Sequence, residues 1–419
     1  MKKLIFILSI MSVSATAWGQ DERPAWQKLD VFNPFSMSAQ YEAGEITDPL
    51  AHHFAGIFDA RNKQDFDLAF QRIEAARSHA EEVGEAQFLR TLTNVKIEML
   101  ISSKRYSDII ANVEEFESTL LPEESSEFQY LANLDSKIEM ANAPYTLTNI
   151  VGNNDRIKIT GRINDTETSF LFDTGGDGLT IGPEMSDIVG VKTSSITSAL
   201  QTTNSSFSNT VGHIDSAQIG LTRFYNHPVN RSNLELDKIW GFNDVLPEAI
   251  LGISEIRHLG ETIVFSTDGK RISELLVLPE NPAPTTRGSD INLLLVGQKP
   301  IVKLVLGDEV YSCLFDVGAP HSFISQRMFE RHKNELDLQL LNRRERRKRF
   351  DYKVDKAIDQ LLGTLADEPI QLKNVEVRGR ANSQCFIGLD AVIQSGGATL
   401  SLNQGLVSFG PVDAIEGRR

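Results

Sequence analysis

Two Asp-x-Gly triplets, Asp173-Thr174-Gly175 and Asp316-Val317-Gly318, each follow a short apolar run, "SFLF" and "SCLF". A carboxylate avoids apolar surroundings unless something pairs with it. Another acid can serve. Two carboxylates held close together cannot both ionise, so they share one proton and act as base and acid at once. The glycine closing each triplet has no Cβ, which lets both loops turn tightly and approach each other closely.

The triplets belong to a longer echo. They stand 143 residues apart, and the same offset aligns Asp165 with Asp308, each eight residues upstream of its acid. Downstream, Ile250-Leu251-Gly252 in "EAILGISEI" answers Phe386-Ile387-Gly388 in "CFIGLDAVI". Both halves then continue into a strand, a turn at Asp268-Gly269 or Gln404-Gly405, and a returning strand. Each half reads turn, strand, Asp-x-Gly loop, long middle, apolar-apolar-Gly, hairpin. An ordered series matched twice is an internal duplication, and it predicts two lobes of one fold.

On these residues the chain resembles the pepsin and retropepsin superfamily of aspartic proteases. Phe172-Asp173-Thr174-Gly175 matches that family's Asp-Thr-Gly, and "GAPHSFIS" is similar to retropepsin sequences after the active Asp. The apolar-apolar-Gly segments match the family's second fixed segment. The resemblance covers roughly residues 145–411 and leaves out what precedes them. An exported chain with two retropepsin-like halves also looks like bacterial members of the superfamily.

The resemblance implies that Asp173 and Asp316 form a catalytic dyad across a pseudo-twofold axis. One carboxyl would act as base on a water molecule while the other donates to the scissile carbonyl of a peptide or unfolded-protein substrate. No metal or cofactor is required. Thr174, Gly175, Val317 and Gly318 would support the active loops. In the family a hydroxyl at both middle positions reaches across to the opposite loop. Val317 has none, and the unpaired group is expected to cost ~1–3 kcal/mol and to loosen the dyad. This departure sustains an alternative from another class: a catalytically impaired peptide-binding module of the same fold, whose helical domain recruits a protein partner.

The first loop departs as well. It reads Gly176-Asp177-Gly178-Leu179, where the second half has Ser322 at the place of Leu179. Asp177, a third carboxylate, is expected to point to solvent. The substrate flap is expected within 196–214, with Thr203, Asn204, Ser205 and Phe207 as its contact residues. The corresponding span of the second half carries "RRERRKRFDYKV", residues 343–354. It reads as a cationic rim favouring acidic substrates, as an exposed nicking site, or as a solvated charged loop or helix end, the last being the plainest. The two cysteines, Cys313 and Cys385, lie three residues before Asp316 and Gly388, on strands that are neighbours in this fold. Their first-half counterparts, Phe170 and Ala249, are apolar, so a buried free thiol is expected and a disulfide is the sharper alternative.

The surrounding elements must hold these loops. Residues 48–143 show helical spacing, with Phe66, Ala69, Phe70, Ile73, Ala76 and Ala80 in one series. Tyr106, Ile109, Ile110 and Val113 repeat its start 40 residues later. Helical hairpins of a TPR-like kind follow. From Pro144 the period becomes two, and a Pro-rich linker, 279–290, divides the rest. The predicted fold class is therefore multidomain α plus all-β. A signal peptide (1–19), an irregular strap (20–47) and a helical domain (48–143) precede the first lobe (144–278); the linker, the second lobe (291–411) and a tail (412–419) follow.

Lys2 and Lys3, the run "LIFILSIMSV" and the small residues of "SATAWGQ" predict a cleaved signal and a periplasmic or secreted protein. That run is shorter than the ~20 residues of a spanning helix, so no stable membrane span is expected. No Cys near the cleavage region supports a lipoprotein anchor. A net charge of −15 gives nucleic-acid binding no electrostatic support.

Overall fold

The computed structural model describes residues 23–31, 33–112, 116, 122–147, 156–201, 206–233, 248–280, 291–296, 299–346, 353–378 and 385–411. The expected signal peptide, residues 281–290 of the linker and the tail lie outside them.

The N-terminal region is helical. Helices Pro34–Glu42, Pro49–Asn62, Phe66–Val83, Ala86–Ser102, Tyr106–Ala111 and Pro122–Ala132 follow one another. Their starts and stops have local causes. Asp48 and Asp65 accept from the backbone N–H of Ala51 and Leu68, at 2.9 and 3.0 Å, capping orphan donors of the first turn. Gly84, in the left-handed region at φ 77°, ends the helix Phe66–Val83. Ala69, Ile73, Ala76 and Ala80 of the predicted series are fully buried. The strap expected to be irregular instead contains the helix Pro34–Glu42, and Trp26 packs edge-on against Phe54 and Phe88. Burying those aromatics orders a segment that has too few apolar repeats to announce itself.

Two closed six-stranded barrels follow. The first runs Lys158–Ile163, Thr166–Phe172, Ala249–Leu251, Leu179–Ile181, Thr222–Ser232, Ser206–Ile219 and back to its first strand. The second runs Lys299–Leu306, Glu309–Asp316, Cys385–Gly388, Phe323–Ser325, Glu368–Arg378, Lys353–Leu365 and closes in the same way. The order is identical, strand for strand. Two-residue turns at Asn164-Asp165 and Gly307-Asp308 open both, as the matched turns predict. Asn164 and Asp165 have φ of 44° and 67°, the pair of positive values that suits the twist of a tight hairpin. Lys137–Glu139, within the stretch expected to be helical, already pairs with the first barrel.

Each barrel extends a hairpin: Lys192–Gln201 with Ser206–Ile219, and Leu340–Arg346 with Lys353–Leu365. Of the basic run, residues 343–346 and 353–354 lie on the arms of the second hairpin, and residues 347–352 lie outside the described residues. The barrels are joined by a third sheet, in the order Tyr145–Leu147, Ile272–Leu278, Thr262–Thr267, Gly397–Ser401, Leu406–Phe409. Strands of the first and second lobes meet at Ile263↔Leu400 and Phe265↔Ala398. The helical region touches both lobes. Asn33 exchanges bonds with Val310 O and Ser312 Oγ, at 2.9 and 2.7 Å, and Tyr130 Oη meets His213 Nδ1 at 2.6 Å.

Candidate active site

Asp173 and Asp316 meet where the two barrels abut. A phenylalanine precedes each acid, and those rings pack edge-on against the shared sheet: Phe172 on Phe265, Phe315 on Phe409, with centroids 6.0 and 5.7 Å apart. The sheet therefore sets the spacing of the loops. Asp173 Oδ1 accepts from Gly175 N and Gly176 N at 2.9 and 3.0 Å. Asp316 Oδ1 accepts from Gly318 N and Ala319 N at 2.9 and 3.1 Å. The two loops are copies in their hydrogen bonding as well as in sequence.

The two carboxyls come together across the seam, each against the glycine of the opposite loop, close enough to share a proton through a hydrogen bond. Burial first, then the Asp173 charge and that bond, push the pKa of Asp316 up to about 8, while the charge of Lys299 pulls the other way. The proton belongs to the pair. Such a pair can take a proton from one group and give it to another without either acid leaving the seam.

Gly175 and Gly318 are required by approach. A Cβ on Gly175 would lie 2.5 Å from Cγ of Asp316, and one on Gly318 would lie 2.4 Å from Oδ1 of Asp173. Gly175→Ala is expected to part the loops, costing about 1–3 kcal/mol of stability through overpacking. A displacement of about 1 Å at the carboxyls should lower any turnover ~100-fold. Urea midpoints and initial rates on one peptide check both numbers.

Thr174 crosses the seam. Its hydroxyl donates to Phe315 O and accepts from Val317 N, both at 2.9 Å. Val317 is fully buried and returns neither bond, so the grip is one-sided. Lys299, which sequence reasoning passed over, reaches the first loop from across the seam. It heads a strand of the second barrel, donates to Gly175 O, and forms an ion pair with Asp177 at 2.9 Å. Asp177 therefore does not simply face solvent, although it stays 42% exposed. The signal was a third carboxylate beside two others, which calls for a cation. Ser322, set against Leu179 in the sequence comparison, is tied down at the second loop. Its N–H and hydroxyl both donate to Asp390, at 2.8 and 2.6 Å, and its oxygen accepts from Gly388 N at 3.0 Å. Leu179, at the matching place of the first lobe, packs in the core instead.

Cys313 and Cys385 form a disulfide, so the free-thiol expectation is corrected. The strands lie parallel in register, Leu314↔Phe386, and their Cα atoms are 4.8 Å apart, within bridging reach. Phe170↔Ala249 occupies the same place in the first lobe, filled by an apolar contact. Of the expected flap residues, Thr203, Asn204 and Ser205 lie outside the described residues, between Gln201 and Ser206, which pair across the hairpin. Phe207 lies on the returning strand opposite Leu200. Thr174, Gly175, Val317 and Gly318 all stand at the seam.

Residues 159–254 match the family model of aspartyl proteases. That stretch is the first barrel, including its Asp173 loop and the Ile250-Leu251-Gly252 strand beside it. With the second barrel repeating its order, the two barrels are consistent with a pepsin-like bilobal fold. No curated protein sequence shows significant similarity to the chain.

Proposed function

We propose that this retropepsin-like chain is an exported aspartic endopeptidase that hydrolyses peptide bonds with Asp173, Asp316 and an activated water. The observation that carries the reading is the meeting of one carboxyl from each lobe at the seam, each acid against the opposite loop's glycine and cradled by two backbone N–H groups. The ionised member takes a proton from water as it attacks the scissile carbonyl. The protonated member donates to the carbonyl oxygen, and a proton reaches the leaving amine as the tetrahedral species collapses. The Cys313–Cys385 bridge supports export, because such bonds persist in oxidising compartments. Cleavage of a mixed peptide library by the parent, lost in Asp316→Asn, tests the reading.

Val317 favours a second reading, a peptide-binding module with little turnover. It predicts that peptides bind and none is cut at any pH. Val317→Thr separates the two. If the missing hydroxyl is what weakens the dyad, the substitution restores a bond of about 1 kcal/mol and raises both Tm and rate. A lower Tm would show that the new hydroxyl finds no acceptor and that Val317 is simply packing.

A further inference from the structure

A cavity of ≈ 490 Å³ opens between the helical region and the first lobe, away from the carboxyl pair. Its size suits a small ligand. The helical side contributes Lys104 and Tyr106, and the lobe contributes His227, Arg257 and His258, with Leu131, Ile138 and Pro228 as apolar wall. Positive groups outnumber negative ones here. The buried acid Glu255 does not line the cavity; its Oε1 holds His227 Nε2 at 2.9 Å and lies 4.0 Å from Lys104 Nζ.

Lys104 shares its one acid, Glu255, with His227 at the long distance of 4.0 Å, and Arg257 reaches two neutral amide oxygens, Gln64 Oε1 and Asn403 Oδ1, both at 3.5 Å. Burial holds Arg257 below its ordinary pKa, and holds Lys104 there too, against the pull of Glu255. Burial, then Lys104 and Arg257, push His258 down to about 4, as expected where the local potential is positive. Arg257 Nε is buried with no protein partner. His227 is 1% exposed, and its Nδ1 also has no protein partner. The bond to the Glu255 carboxylate requires the proton on Nε2, which leaves Nδ1 as an acceptor. Among the described residues no group of three His, Cys, Asp or Glu is placed to hold a metal ion. The cavity therefore offers two cationic donors, one buried acceptor and an apolar wall.

We propose that this cavity binds the C-terminal residue of a peptide, its carboxylate on Lys104 and Arg257, its amide N–H on His227 Nδ1 and its apolar side chain on the Leu131–Ile138 wall. The terminal residue of a peptide presents that combination: an anion, an N–H donor one atom away, and a side chain. Binding there needs no turnover at the carboxyl pair.

Calorimetry on the full chain with N-acetyl-L-leucine, N-acetyl-L-leucinamide and inorganic phosphate tests it. The acid is expected to bind, the amide and phosphate at least tenfold more weakly. Lys104→Met and Arg257→Gln should each weaken the acid at least tenfold, and Asp173→Asn should leave it unchanged. The His258 pKa, followed by NMR, should rise when the acid is bound. If Lys104→Met does not fold, Ser107→Tyr, at the exposed mouth, should block binding in its place. Equal binding of acid and amide, phosphate binding without the acid, or no binding of any probe overturns the proposal.

Discussion

Asp173→Asn and Asp316→Asn are each expected to lower kcat for peptide cleavage ~1,000-fold while leaving KM within a few-fold, because each removes a group that moves a proton in the transition state. Stability distinguishes this loss from misfolding, and its sign follows from the pair. Folding raises the pKa of Asp316 to about 8, so the native state keeps a proton that the unfolded chain releases near pH 4. The stabilisation from that group is complete below the unfolded value and is lost progressively as pH rises toward the folded one. An amide in the same place carries no charge and escapes the loss. Asp316→Asn should therefore match the parent's stability at pH 4 and exceed it at pH 7, on the order of 1–3 kcal/mol. Denaturant midpoints at both pH values check this. The same proton bounds activity: the parent's rate should fall as pH passes about 8, when the pair loses its acid. A variant less stable than the parent at pH 7 would mean that the two carboxyls do not repel one another in the folded protein.

Breaking the Cys313–Cys385 bridge is the other large effect. The bond closes a loop spanning 72 positions, and its removal should cost about 4 kcal/mol by chain entropy. Both residues are fully buried, so reductant acts on opened molecules and the effect develops slowly. Cys313→Ala with Cys385→Ala reaches the same end point without it. The bridge ties the strand bearing Asp316 to the strand that runs beside it. Loss of the second lobe should therefore take activity with it, while the helical core around Phe54 and Phe88 persists. Near-UV and far-UV circular dichroism, with and without reductant, separate the two. A denaturation midpoint unchanged on reduction would assign the bond no part in holding the lobe.

The amino-acid sequence alone determined that two halves share one design. The matched Asp-x-Gly loops, the tight turn before each and the apolar-apolar-Gly strand beside each are local features, written in residue type and spacing. Alternation and helical period, which are also local, placed the barrels and the helices. Tertiary structure decided what depends on distance between residues far apart in the chain. The pairing of Asp173 with Asp316 comes from the sheet that the lobes share, and the choice of a bridge over a free thiol comes from 4.8 Å between two Cα atoms on neighbouring strands. Lys299 finds Asp177 only across the seam, and the cluster around His227 and Lys104 exists only because a helical turn docks on the first lobe. Periodicity records which face of an element is buried. It carries no record of which other element covers that face, and every one of these contacts is made there.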